Sequence, residues 1–352
     1  MLKFNINIII LVCFSLISNA RSRIETTAIC NDKYYAQAYN EIIGMLEGTM
    51  PLNLKRAVFL VEWAYSDGKP EYEKYCDQID STATAITSFI KLNNLDKNPI
   101  GGNIALFEYF TEPSPMNSFQ PFIYDFDDYR GEKDLTKLFV TKLMETHTGQ
   151  CRSMPLYYKI LANEIGAKSY ISYAPNHSFI RHRDESDSRW MNVELTNNSM
   201  PREVFIIESM GITERAIETG IYMRPNGDRE IIISLLTDMT DGYIRKTGSI
   251  DDIVWRSLNK ALNYDPDNLF ALMKLSNCLF TIGDVYRKRI AENKGTEDYA
   301  MMQKIIVQLM DINHKIEDLG YVDMPQYLYD DWQKTVEQEK SRRASLKKEE
   351  QI

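Results

Sequence analysis

The sequence predicts an α+β protein: a core of one helix plus an antiparallel sheet, flanked by helical segments, with a helical repeat toward the C-terminus. Three observations carry this expectation. Apolar residues recur at three- and four-residue spacing through residues 30–95 and again beyond Pro201, as amphipathic helices require. Between them, residues 168–196 fall into three short runs rich in aromatic and β-branched residues and bounded by turn formers, which read as consecutive strands. Residues 251–284 then show a helix, a turn and a second helix in the pattern of a repeat.

Taken in order, residues 1–20 read as a signal peptide: Lys3, a short apolar run, then Ser18, Asn19 and Ala20 as a small-residue cleavage pattern. The run is shorter than the ~20 residues of a membrane span, so the mature chain is expected to have no span and to be periplasmic or secreted after cleavage near Ala20. Val12 speaks against a lipid anchor at Cys13. Residues 21–132 form a helical N-terminal segment and connection. Its helices are YYAQAYNEIIGML, LKRAVFLVEWAYSDG and EYEKYCDQIDSTATAITSFIKLNN, followed over 96–132 by irregular chain carrying short elements. The eight aromatic residues between Phe107 and Tyr129 are expected to be core.

The core is assigned to residues 133–202. Asp134 caps a helix through DLTKLFVTKLMETH. A second helix starts close to Cys151, because Pro155 is tolerated only in a first turn, and it ends at Gly166, a C-terminal glycine. KSYISYA, HSFIRHR and RWMNVELT follow as strands. Residues 203–330 form the helical, repeat-like region, with a turn at Asp265–Asn268 and a helix ending at Gly283, and residues 331–352 a charged helix or tail.

The net charge of -9 argues against nucleic acid or an anionic membrane surface as partner. Of the five cysteines, Cys13 leaves with the signal. If Cys151 must remain a free thiol, Cys30 with Cys76 is the pair left to consider for a disulfide.

The chemistry concentrates in residues 146–196. A thiolate is a far better nucleophile than a thiol, and a helix N-terminus and an imidazolium both favour it. Cys151 at a helix mouth, with Gly149 allowing close backbone approach, supplies the first; His177 at the head of a strand supplies the second. The Cys151 N–H is a candidate oxyanion donor. A third group must orient the imidazole, and on the next strand alternation puts Asn192 and Glu194 on one face, so both are candidates. Gln120 and Tyr124 are further candidates for reaching the oxyanion from upstream. His147 reads as the end of a helix rather than as a partner of Cys151, and His182 has no acidic partner. Four scattered histidines suggest no metal site, and no cofactor is expected.

At these residues the chain resembles the transglutaminase-like superfamily, through Gly149 and Cys151 at the helix start, His177 opening a strand, and Glu194 within Trp190-x-Asn-x-Glu-x-Thr196. It is most similar to the bacterial branch with a helical segment ahead of the core, here residues 54–90, and tetratricopeptide repeats behind it, here the junction at 251–284. The resemblance implies a papain/transglutaminase-like cysteine core with Cys151, His177 and Glu194 as its catalytic triad. It implies an exported thiol-dependent amide-bond hydrolase or acyl transferase acting on protein or peptide. Two departures stand out: glutamate where aspartate is usual, and Arg152 where cross-linking enzymes often carry an aromatic residue. The alternative is an inactive core that serves, with its repeats, as a protein- or peptide-binding module.

Overall fold

A computed structural model describes residues 32–292 and 297–323, with the isolated positions 327, 328, 334, 338, 341 and 342. The expected signal peptide, Cys13, Cys30 with its proposed bridge to Cys76, and most of the charged tail lie outside the described residues. Cys76, Cys151 and Cys278 are free thiols. Helices and strands follow in the order α1 (Lys33–Glu47), α2 (Leu54–Tyr65), α3 (Tyr72–Leu92), α4 (Gly101–Thr111), β1 (Ile123–Tyr124), α5 (Val140–Thr146), β2 (Thr148–Gly149) and α6 (Ser153–Glu164). Then come β3 (Tyr170–Ala174), β4 (His177–Arg183), β5 (Trp190–Val193), α7 (Glu203–Met210), α8 (Glu214–Glu218), α9 (Asp228–Thr247), α10 (Asp252–Tyr264), α11 (Leu269–Ala291) and α12 (Glu297–Asp318). The chain is α+β, with helix predominating.

It divides into two compact units, Met1–Pro70 with Asp228–Tyr321, and Glu71–Gly227 with Val322–Ile352. The reason is where the apolar faces find partners: α1 and α2 pack on α9, whereas α3 and α4 pack on α6.

In the first unit, Tyr35, Ala38 and Ile42 of α1 and Ala57, Leu60 and Ala64 of α2 are buried with Ile232, Leu236 and Met239 of α9. The turn after α10 closes with Asn268, whose side chain accepts the Ala271 N–H at 3.0 Å and caps α11. Gly283 does not end α11, which runs on to Ala291. A Cβ there would lie 3.3 Å from Ile305 Cγ2, so its role is to let α12 approach. By length and composition α11 is the one described helix apolar enough to cross a membrane. Its buried face is accounted for inside this unit, where Lys274 also pairs with Asp241.

In the second unit, α6 is buried on nearly every side, from Ser153 through Ala162. Ile79 and Ile86 of α3 and Leu106, Tyr109 and Phe110 of α4 belong to the same core. The Tyr158 hydroxyl donates to Asn103 Oδ1 at 3.1 Å. Helix α4, at 11 residues, is longer than the short elements expected within 96–132. It is apolar on most sides, as a helix enclosed between α3 and α6 must be, and so shows no amphipathic period. Its glycine start is enforced by space, since a Cβ on Gly101 would meet the Leu95 carbonyl oxygen at 1.9 Å. Phe110 and Phe122 are buried as expected, but Phe119 is exposed. Asp134 caps a short 3-10 turn, Leu135–Leu138, by accepting the Thr136 N–H at 3.0 Å; Phe139 then breaks to extended backbone before α5.

The sheet is antiparallel in the order β3-β4-β5. Asn176, at φ 55, turns the two-residue loop between β3 and β4. Separately, β1 and β2 form a short parallel pair, Ile123 with Thr148 and Tyr124 with Gly149.

Candidate active site

Cys151 owes its place to the residues on either side. β2 brings the backbone against α5 and α6 so tightly that a Cβ on Gly149 would lie 2.5 Å from Leu143 Cδ1 and 2.9 Å from Ser153 Oγ. On the other side the Met154 N–H already reaches the Gln150 carbonyl at 3.1 Å. Ser153 Oγ accepts the Gln150 N–H at 3.0 Å. The helical turn therefore begins at Gln150, and Cys151 sits in it, at the positive end of α6 with its unused N–H groups.

His177 and Glu194 are brought together by strand register. Ile180 pairs with Val193, which sets Phe179 opposite Glu194 and makes His177 and Glu194 diagonal neighbours on one face. Glu194 lies just past β5, held by reciprocal backbone bonds with Ser199 at 2.8 and 3.0 Å. Glu194 Oε2 bonds to His177 Nε2. Its other oxygen accepts the Thr196 N–H at 2.9 Å and the Thr196 hydroxyl at 2.6 Å, so the carboxylate is held at both ends. The Cys151 side chain acts on the imidazole electrostatically and favours its charged form. His177 and Glu194 thus form a bonded pair, with Cys151 acting on the ring from the helix N-terminus. The His177 and Glu194 side chains are 14% and 13% exposed, dry enough to strengthen their attraction yet open to solvent.

The electrostatics follow. Burial pulls His177 down, but the Glu194 carboxylate, with Cys151, outweighs it and holds the imidazole well above its ordinary 6.5. Burial pushes Glu194 up, but His177 and the two Thr196 donors outweigh that and hold it below the usual carboxylate range. Tyr124, opposite Gly149 in the β1–β2 pair, is buried beside Cys151 and near Glu194. Burial and then the Cys151 charge push its phenol up, so it stays a neutral donor.

The other candidates separate. Asn192 does not share the histidine: its Nδ2 donates to the Pro201 carbonyl at 3.0 Å, and Glu194, one pleat nearer, takes the ring. Gln120 is exposed, and its carbonyl bonds to His147 Nδ1 at 2.6 Å. The β1–β2 register puts it level with the end of α5, short of Cys151. His147 ends α5 at φ 51 and stacks on Phe122 at 4.5 Å. His182 is buried in β4 and bonded to the Arg183 carbonyl at 2.7 Å; burial lowers its affinity for a proton. Among the described residues no group of three or more His, Cys, Asp or Glu is arranged to hold a metal.

Two participants carry no separate signal in the sequence. Thr196 was visible only as part of Glu-x-Thr, and Ser178 as the polar residue after His177. The Ser178 hydroxyl donates to the Cys151 carbonyl. A thiol that acts on an imidazole bonded to a carboxylate has the parts needed to move a proton from sulfur to ring and later to a leaving group. Compared with protein-family models, curated proteins and solved structures, the chain has no match.

Proposed function

We propose that this chain is an exported transglutaminase-like protein whose Cys151 attacks amide carbonyl carbon in a protein or peptide, for hydrolysis or acyl transfer. The observation that carries the proposal is the bonded His177–Glu194 pair together with Cys151 at a helix N-terminus, acting on the same imidazole. His177 takes the sulfur's proton, and the imidazolium so formed is stabilised by Glu194, whose orientation Thr196 secures. The thiolate adds to the carbonyl carbon; the new oxyanion faces the Cys151 N–H and the Tyr124 hydroxyl, a donor that burial keeps protonated. His177 then returns the proton to the departing amine, leaving a thioester. Water, or a second amine, activated by the same imidazole, releases the acyl group.

The test is turnover of a peptide mixture followed by mass spectrometry, with and without a fluorescent primary amine to separate hydrolysis from transfer. Cys151→Ala and His177→Ala each reduce product to background while the fold persists, because both act on one transition state. Glu194→Gln loses less, since an amide still orients the ring. Cleavage unchanged in Cys151→Ala removes the proposal. A binding role instead draws on the exposed Tyr299, Val307 and Met310 of α12. It requires that peptide capture survive Cys151→Ala and fall when those three are made polar.

A further inference from the structure

Helix α6 has one gap in its hydrogen-bond ladder, and the gap falls on the carbonyl of Cys151. The Met154 N–H bonds to the Gln150 carbonyl at 3.1 Å, and the Leu156 N–H to the Arg152 carbonyl at 3.3 Å. The bond between these two would run from residue 155 to Cys151, and residue 155 is proline, which has no N–H. A half-buried carbonyl so released is best satisfied by a donor from elsewhere. The donor is the hydroxyl of Ser178, the β4 residue next to His177.

We propose that Ser178 is a positioning residue that works with Pro155: the proline frees the Cys151 carbonyl, and the Ser178 hydroxyl ties it to β4, setting the approach of the sulfur to His177. Adjacent residues of one strand then serve the cysteine, His177 through its imidazole's charge and Ser178 through the bond to its backbone. A helix N-terminus alone fixes the height of Cys151 along α6. It does not fix the distance to a separate strand, which the Ser178 bond does. The inference rests on the thiol-nucleophile function above.

The experiment is the rate of Cys151 alkylation by iodoacetamide between pH 5.5 and 10, on the full-length chain, alongside its melting temperature. In Ser178→Ala the rate at neutral pH falls roughly tenfold, the scale of one lost hydrogen bond. It rejoins the parent rate near pH 10, where thiols ionise without help, so the profile moves toward that of a free cysteine. Ser178→Thr, which keeps the hydroxyl, retains most of the neutral-pH rate. Ser178→Ala with Pro155→Ala gives the carbonyl a helical N–H; it recovers melting temperature but not neutral-pH reactivity, because the tie to β4 is still missing. A purely structural serine predicts the opposite, recovery of both, and that result overturns the proposal. An unchanged profile in Ser178→Ala overturns it too. If Ser178→Ala does not fold, the double variant carries the test alone. Slow labelling of Cys151 in the parent protein at neutral pH is a different failure, that of the thiol-nucleophile function itself.

Discussion

Gly149→Ala probes how closely the backbone must approach to present Cys151. The backbone at Gly149 is not in the left-handed region, so an alanine there meets no conformational strain, only its neighbours. Its Cβ would stand 2.5 Å from Leu143 Cδ1, 2.9 Å from Ser153 Oγ and 3.2 Å from Met154 Cγ. Carbon atoms in contact sit about 3.5–4.0 Å apart, so Leu143, which is fully buried, must retreat by about 1 Å or β2 must lift away from α6. Ser153 cannot yield freely, because its hydroxyl accepts the Gln150 N–H that starts the turn carrying Cys151. Overpacking of this kind costs about 1–3 kcal/mol. At roughly 2–4 °C per kcal/mol for a unit of this size, the melting temperature falls by about 2–12 °C. A displacement near 1 Å at a reacting group lowers rate by as much as ~100-fold, so Cys151 alkylation and peptide turnover should fall by more than the stability loss explains. Calorimetry and iodoacetamide labelling on the same preparation measure both. Gly149→Ala with unchanged melting temperature and unchanged labelling would refute the claim that this close approach positions the cysteine.

Three further outcomes follow from the charges and burial. At neutral pH iodoacetamide labels Cys151 far faster than Cys278, whose thiol burial pushes up to about 12; equal, slow labelling of both argues for a structural thiol at 151. His177 is raised in the folded state, so its contribution to stability is full below its ordinary 6.5 and is lost as pH rises through the folded value. Glu194 is lowered, so its contribution is full above 4.5 and is lost as pH falls through the folded value. The difference in melting temperature between the parent and His177→Gln should therefore be greatest between pH 4.5 and 6.5 and shrink on both sides; a difference that grows above pH 8 contradicts the pairing. Glu194→Gln removes the largest influence holding a proton on His177 and leaves burial to lower it. The alkaline limb of the alkylation profile, read by stopped-flow, should then move to lower pH, and a limb that stays put means Glu194 does not set the charge of the ring.

The periodicity of α1, α2, α10 and α11, the turn at Asp265–Asn268, the start of α6 near Pro155 and the three strands of the sheet were legible along the chain, because each depends on residues within a few positions of one another. So was the order cysteine, histidine, acid. Helix α4 was not, since a helix buried on most sides has no polar stripe to reveal its period. Gly283 looked like a helix end, and only its contact with Ile305 distinguishes a packing glycine from a terminator.

At the candidate site the sequence by itself determined which chemical groups are present and which element carries each, while tertiary structure decided which of them meet. Asn192 and Glu194 were equivalent by alternation. The register Ile180 with Val193 and the bonds of Glu194 to Ser199 and Thr196 deliver the glutamate to His177 and leave Asn192 to Pro201. Gln120 and Tyr124 were equivalent as upstream donors, and the pairing of Tyr124 with Gly149 brings only the tyrosine level with Cys151. The division into two units, with α1 and α2 joined to helices nearly two hundred residues later, was likewise beyond any local pattern. The physical reason is the same throughout: short-range chemistry sets periodicity, caps and turns, whereas register and the choice of packing partner depend on surfaces that exist only once the chain has folded.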